Sequence, residues 1–116
     1  MSTYSKIPLS SSTNGTGLLV VATTTLGTNI HTAGSGSTNF DEVWAYAMNS
    51  ASANVKLTME YGGAATKDLI EITIPAESGL TLILPGLYLC NSLSVTAFAA
   101  TASVLSIHGY VNRVTA

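Results

Sequence analysis

Charge is what this sequence has least of. Between Ser78 and Asn112 there is no Asp, Glu, Lys or Arg, and over all 116 residues only 9% are charged, with a mean hydropathy of +0.40. A lone monomer of this size stays dispersed through surface charge, so the scarcity implies that further copies or a larger body cover part of it. The four basic residues, Lys6, Lys56, Lys67 and Arg113, are scattered, and the net charge is −2. They cannot neutralise neighbouring phosphates together, which argues against nucleic acid as a partner. Cysteine is nearly absent too. Cys90 has no second cysteine to pair with, so the usual staple of small secreted folds is missing and synthesis in a reducing cytoplasm fits.

Long hydrophobic runs are also missing. A membrane-spanning helix needs about 20 mostly apolar residues, whereas Pro85-Gly86 and Asn91-Ser92 interrupt the charge-free stretch. Ser94, Thr96, Thr101, Ser103 and Ser106 dilute its second half. No membrane partner is expected, and the short run Leu18 to Ala22, preceded by Ser, Thr, Asn and Gly, does not read as a signal peptide.

Catalytic constellations are absent in the same way. His31 and His108 are the only histidines, and there is neither a nucleophile elbow nor a phosphate-binding glycine loop. Asp41-Glu42 is the only adjacent acidic pair, and no ordered series of oxygen ligands surrounds it; solvated charges at a strand start are the expectation. His31 with Asp41 offers too few ligands for zinc. His108 reads as a hydrogen-bonded structural histidine in the last strand. A non-enzymatic protein with no cofactor and no metal is expected.

The residues that are plentiful spell strand and turn. Val55, Leu57, Met59 and Tyr61 alternate with Lys56, Thr58 and Glu60, and Ile70, Ile72 and Ile74 repeat the period of two that a half-buried strand requires. Similar runs over 17–26, 30–33, 41–48, 79–84, 93–99 and 104–114 are separated by Gly, Pro, Asn and Ser clusters. About eight short strands at this spacing predict an all-β domain over 17–116, an antiparallel β-sandwich of jelly-roll type. Residues 1–16, dominated by Ser, Thr, Asn and Gly, predict a flexible N-terminal arm ordered only on a partner, with Tyr4, Ile7 and Leu9 as its anchors.

Trp44 and Tyr46 share a strand face; core packing is the first expectation, with an interface anchor or a sugar-stacking platform as alternatives. In the last strands both faces are weakly polar, and Ile83, Phe98, Val104, His108 and Tyr110 are expected on the side that meets a neighbouring copy.

The segments Phe40 to Ala47, Val55 to Gly62, Ile74 to Leu80 and Ile107 to Val114 together resemble a family of small virion proteins of tailed bacteriophages, over about residues 29 to 114. The resemblance implies a capsid decoration or cement protein located in the virion. Such a protein binds the major capsid protein from outside the head, stabilises the shell, and commonly forms homotrimers. A carbohydrate-binding adhesin and a tail or head-fibre component are the alternatives.

Overall fold

The computed structural model describes residues 3–115, so residues 1 and 2 of the expected arm and residue 116 of the expected domain lie outside the described residues. The strands are β1 (Thr3–Pro8), β2 (Leu18–Leu19), β3 (Thr28–Thr32), β4 (Phe40–Asn49), β5 (Val55–Tyr61), β6 (Leu69–Ile74), β7 (Thr81–Leu89), β8 (Ser94–Ala99) and β9 (Leu105–Thr115). Among the described residues there is no α-helix, only a 3-10 turn at Thr66–Asp68. The protein is all-β, with two antiparallel sheets packed together.

One sheet runs β1-β9-β4-β7, with β2 also paired to β9, and the other runs β3-β8-β5-β6. The pairing is nested: β1 and β2 lie against β9, β3 against β8, β4 against β7 and β5 against β6. The chain is therefore one long hairpin, doubled back after β5 and wrapped into two layers. The contacts β4–β9 and β5–β8 close each layer sideways. Alternation places the core between them. Val43, Ala45 and Ala47 of β4 and Ile107 and Val111 of β9 face Leu57, Met59, Val95 and Ala97 of the second sheet, all with no solvent exposure. Buried Asn49 secures the passage from β4 to β5, donating to the carbonyls of Ala53 and Ile74 at 2.9 and 3.0 Å and accepting from Ala51 N–H.

Four expectations meet a different outcome. The N-terminal segment is not an arm: Thr3–Pro8 pairs residue by residue with the end of β9, and Leu9 is buried in the core at 1% exposure. On its inner side its backbone pairs with β9, and Ile7 and Leu9 pack into the core, so its polar composition is no obstacle to order. The expected strand over 17–26 shrinks to Leu18–Leu19, because beyond Val20 the chain leaves the first sheet and crosses toward β3.

Pro85-Gly86, read as a strand end, lies inside β7. β7 is an edge strand, so the missing Pro85 N–H removes no ladder bond, and register shifts opposite Val43/Trp44 and Ala45/Tyr46 absorb an extra residue each. The shift between Leu82 and Leu84 turns Ile83 inward. Ile83 and Leu84 are both core, at 7% and 0% exposure, while Leu82 stays outside at 45%. Ile83 is therefore not on an interface face.

Leu9→Ala is expected to cost about 2–5 kcal/mol in denaturant unfolding, as for other buried leucines. Deleting residues 1–16 should cost at least as much, since it also removes β1. A shortened chain with an unchanged midpoint would refute the structural role of this segment.

Candidate functional site

Two kinds of polar feature stand out, one inside the sandwich and one on its surface. Inside, the ring of His31 in β3 and the carboxylate of Asp41 in β4 meet at 2.6 Å with side chains 0% and 1% exposed. Ser10 N–H donates to His31 Nδ1 at 2.9 Å, so the ring proton lies on Nε2 and is donated to Asp41 Oδ2. Arg113 in β9 grips the same carboxylate through two N–H groups, at 2.8 and 2.9 Å. The cluster ties the edge of the second sheet to two strands of the first and to the segment after β1. Asp41 is thus not the solvated charge expected. Burial pushes its pKa up, but the hydrogen bonds from Arg113 and His31 outweigh this and hold it below the usual carboxylate range. Burial holds His31 below its ordinary value despite the hydrogen bond to Asp41.

Two further contacts brace the layers. Tyr61 in β5 donates its hydroxyl to the Leu87 carbonyl in β7 at 2.7 Å. Buried Glu60 accepts from Thr25 Oγ1, from Gly27 N–H at 2.7 Å and from Thr96 Oγ1 at 2.7 Å, pinning the crossing before β3 onto the second sheet. Burial works to raise the Glu60 pKa, and these donors together bring it below the ordinary value. Among the described residues no group of three or more His, Cys, Asp or Glu side chains is arranged to hold a metal ion.

The surface feature is the outer face of the first sheet. With Asp41, Val43, Ala45 and Ala47 turned inward, the alternate residues Phe40, Glu42, Trp44, Tyr46 and Met48 turn outward. Cross-strand register arranges this face in rows from β1 through β9 and β4 to β7. They run Tyr4–Val114–Phe40, Lys6–Asn112–Glu42–Tyr88, Pro8–Tyr110–Trp44–Pro85 and His108–Tyr46–Leu82. Six of the eight aromatic residues, Tyr4, Phe40, Trp44, Tyr46, Tyr88 and Tyr110, lie on it. Phe40 stacks on Tyr88 with ring centroids 4.4 Å apart, and Trp44 lies nearly parallel to Tyr110 at 6.2 Å. The outer face of the second sheet exposes Lys56, Glu71 and Thr73 beside half-buried Phe98, while Thr58, Glu60 and Thr96 on the same face are buried.

A polar row crosses the aromatic face. Glu42 accepts from Trp44 Nε1 at 3.0 Å and Asn112 Nδ2 at 3.2 Å, which favour its ionised form. Lys6 Nζ sits 4.3 Å from the centre of the Tyr110 ring. A cleft of about 450 Å³ opens here, lined by Tyr4, Ser5, Lys6, Glu42, Asn112 and Val114.

The structure brings Tyr4, Trp44, Tyr46, His108 and Tyr110 onto this face, Trp44 and Tyr46 lying half-buried there rather than in the core. Leu9 and Ile83 belong to the core, Ile7 and Val104 pack against it half-buried, and Phe98 lies on the opposite sheet. Sequence reasoning did not single out Phe40, Lys6, Tyr88 or Asn112 for this face. The period of two from Trp44 and Tyr46 extends to Phe40 and Glu42. The others needed the strand pairing. No protein family, curated protein or solved structure matches the chain.

Two measurements test these sites. The unfolded chain takes up a proton at His31 as pH falls through about 6.5 while the folded chain resists it, so stability should decline from there downward. Asp41 and Glu60 add a second loss as pH falls below their ordinary values of 3.8 and 4.5. Thermal melts over a pH series should show the upper decline flattened in His31→Gln, which keeps a donor for Asp41; an unchanged profile refutes the assignment. Gly86, at φ +76°, has room for no Cβ, which would lie 2.9 Å from two Trp44 ring atoms. Gly86→Ala should cost roughly 1–2 kcal/mol and shift the emission of the sole tryptophan, and unaltered emission would count against this packing.

Proposed function

We propose that this chain is a non-enzymatic structural subunit of a tailed-bacteriophage virion, a capsid decoration or cement protein that self-associates and binds the outside of the shell. The observation that carries the reading is the gathering of six aromatic side chains on one outer sheet face in a chain so short of charge. A broad aromatic face of this kind is suited to being covered. The sandwich reads as a jelly roll, since nested pairing across two four-position sheets, with β1 and β2 sharing one edge, is what a wrapped hairpin of eight strands produces. That architecture serves both capsid proteins and lectins. The resemblance of Phe40 to Ala47 and Ile107 to Val114 to small virion proteins supports the first of these.

Cement acts by repetition. A subunit that associates with its own copies holds several shell contacts at once, and effective concentration lets each be modest. The chain is therefore expected to co-sediment with expanded capsids of the phage that encodes it. Trp44→Ala should weaken retention about tenfold or more, as loss of an aromatic anchor does. Retention no greater than that of an unrelated protein would sink the proposal.

A second reading, a saccharide-binding sandwich, is favoured by the cleft in which Glu42, Asn112 and Lys6 sit between aromatic rows. Trp44 emission that moves with sugars, with no capsid retention, would replace the first reading by this one.

A further inference from the structure

We propose that the outer face of the first sheet packs against the same face of a second copy, about a two-fold axis running along β9. The inference rests on the reading of the chain as a self-associating subunit, and it names the partner of the aromatic face. An imbalance among the ionic side chains points to it. Of the four basic residues, Arg113 pairs with Asp41, Lys56 with Glu71 and Lys67 with Asp68; Lys6 has no carboxylate partner among the described residues. Glu42 is held by the neutral donors Trp44 and Asn112 and, like Glu60 and Glu77, has no cation among the described residues; of these three acids Glu42 is the one on the aromatic face. Lys6 and Glu42 lie in one row, on either side of Asn112.

The spacing makes the face complementary to itself. β9 lies between β1 and β4, so Lys6 and Glu42 stand one strand to either side of it, about 10 Å apart. A half-turn about the β9 direction exchanges the two sides and turns the face over. Each Lys6 then lies opposite the partner's Glu42, and each Glu42 opposite the partner's Lys6. The same operation sets Tyr4 against the partner's Phe40 and Pro8 against the partner's Trp44, while Asn112 and Tyr110 on the axis meet their own counterparts. The three rows that β1 shares supply ion pair, aromatic pair and proline–aromatic pair in turn, while the row of His108 and Tyr46 lies beyond the end of β1.

Size is adequate. A half-turn about β9 overlaps β1, β9 and β4 and leaves β7 outside, so with the ten residues of β4 the overlap has a plan area on the order of 500 Å² before side-chain relief is counted. A standard interface takes about 800 Å² of accessible surface from each partner. Sheets stack face to face about 10 Å apart, a gap that long and aromatic side chains fill.

Charge reversal tests the pairing without needing a ligand. By sedimentation, the wild-type chain should have the mass of two copies, and Lys6→Glu or Glu42→Lys alone should each raise the dimer Kd by at least about tenfold, since each sets like charges opposite one another twice. An equimolar mixture of the two single variants should recover association, because in the mixed pair both contacts again join opposite charges. Recovery also shows that both variants fold. A monomeric or three-copy wild type, single variants that associate normally, or a mixture that stays monomeric while each variant melts like wild type would overturn the proposal. Capsid co-sedimentation of the wild-type chain separates the two readings: a wild type that pairs but ignores capsids defeats the cement reading alone, and a wild type that binds capsids without pairing defeats this one alone.

Discussion

The buried Asp41 carboxylate is the constraint on which the rest of the structure depends. An ionised group shielded from water needs compensation nearby, and here it comes from β3 through His31 and from β9 through Arg113. These partners belong to different sheets, so satisfying one carboxylate fixes how the layers lie over each other. It also sets the parity of β4. With Asp41 inward, the period of two sends Phe40, Glu42, Trp44 and Tyr46 outward, and the aromatic face follows from a polar decision made in the interior.

Much of the fold was legible because half-buried strands leave a period of two in the sequence. The strand at Val55 to Tyr61 and the run Ile70 to Ile74 lie where their alternation puts them, and both belong to antiparallel pairs. The illegible parts depend on partners distant along the chain. The residues from Thr3 to Pro8 carry little apolar patterning, and their order comes from the end of β9, over a hundred positions away. Pro85-Gly86 ends a strand by local chemistry and is harmless at a sheet edge, a position no local window reports. Asp41 looks like an exposed strand-start charge until Arg113, 72 residues on, supplies its counter-ion.

The candidate site was half legible for the same reason. Trp44 and Tyr46 declare a shared face by spacing alone, and His108 and Tyr110 declare another in the last strand. That these are one face follows only from the pairing of β4 with β9. The bulge that turns Ile83 inward leaves no mark in composition, since Leu82, Ile83 and Leu84 are equally apolar. The scarcity of charge nonetheless acquires a location: three cations are matched within the chain, and the remaining one lies on the aromatic sheet.

The bulged outer strand β7 has a consequence for how such a chain avoids growing without limit. A sticky β protein with few charges risks adding strands edge to edge, because each addition exposes a fresh template and nothing ends the series. Here one border of the sheet carries Pro85 and two register breaks, and the opposite border carries Lys6 and Pro8. Both borders are poor templates for fibre formation. On this sheet a contact between copies would fall to the broad face, where pairing of like surfaces uses them up and closes at a finite size.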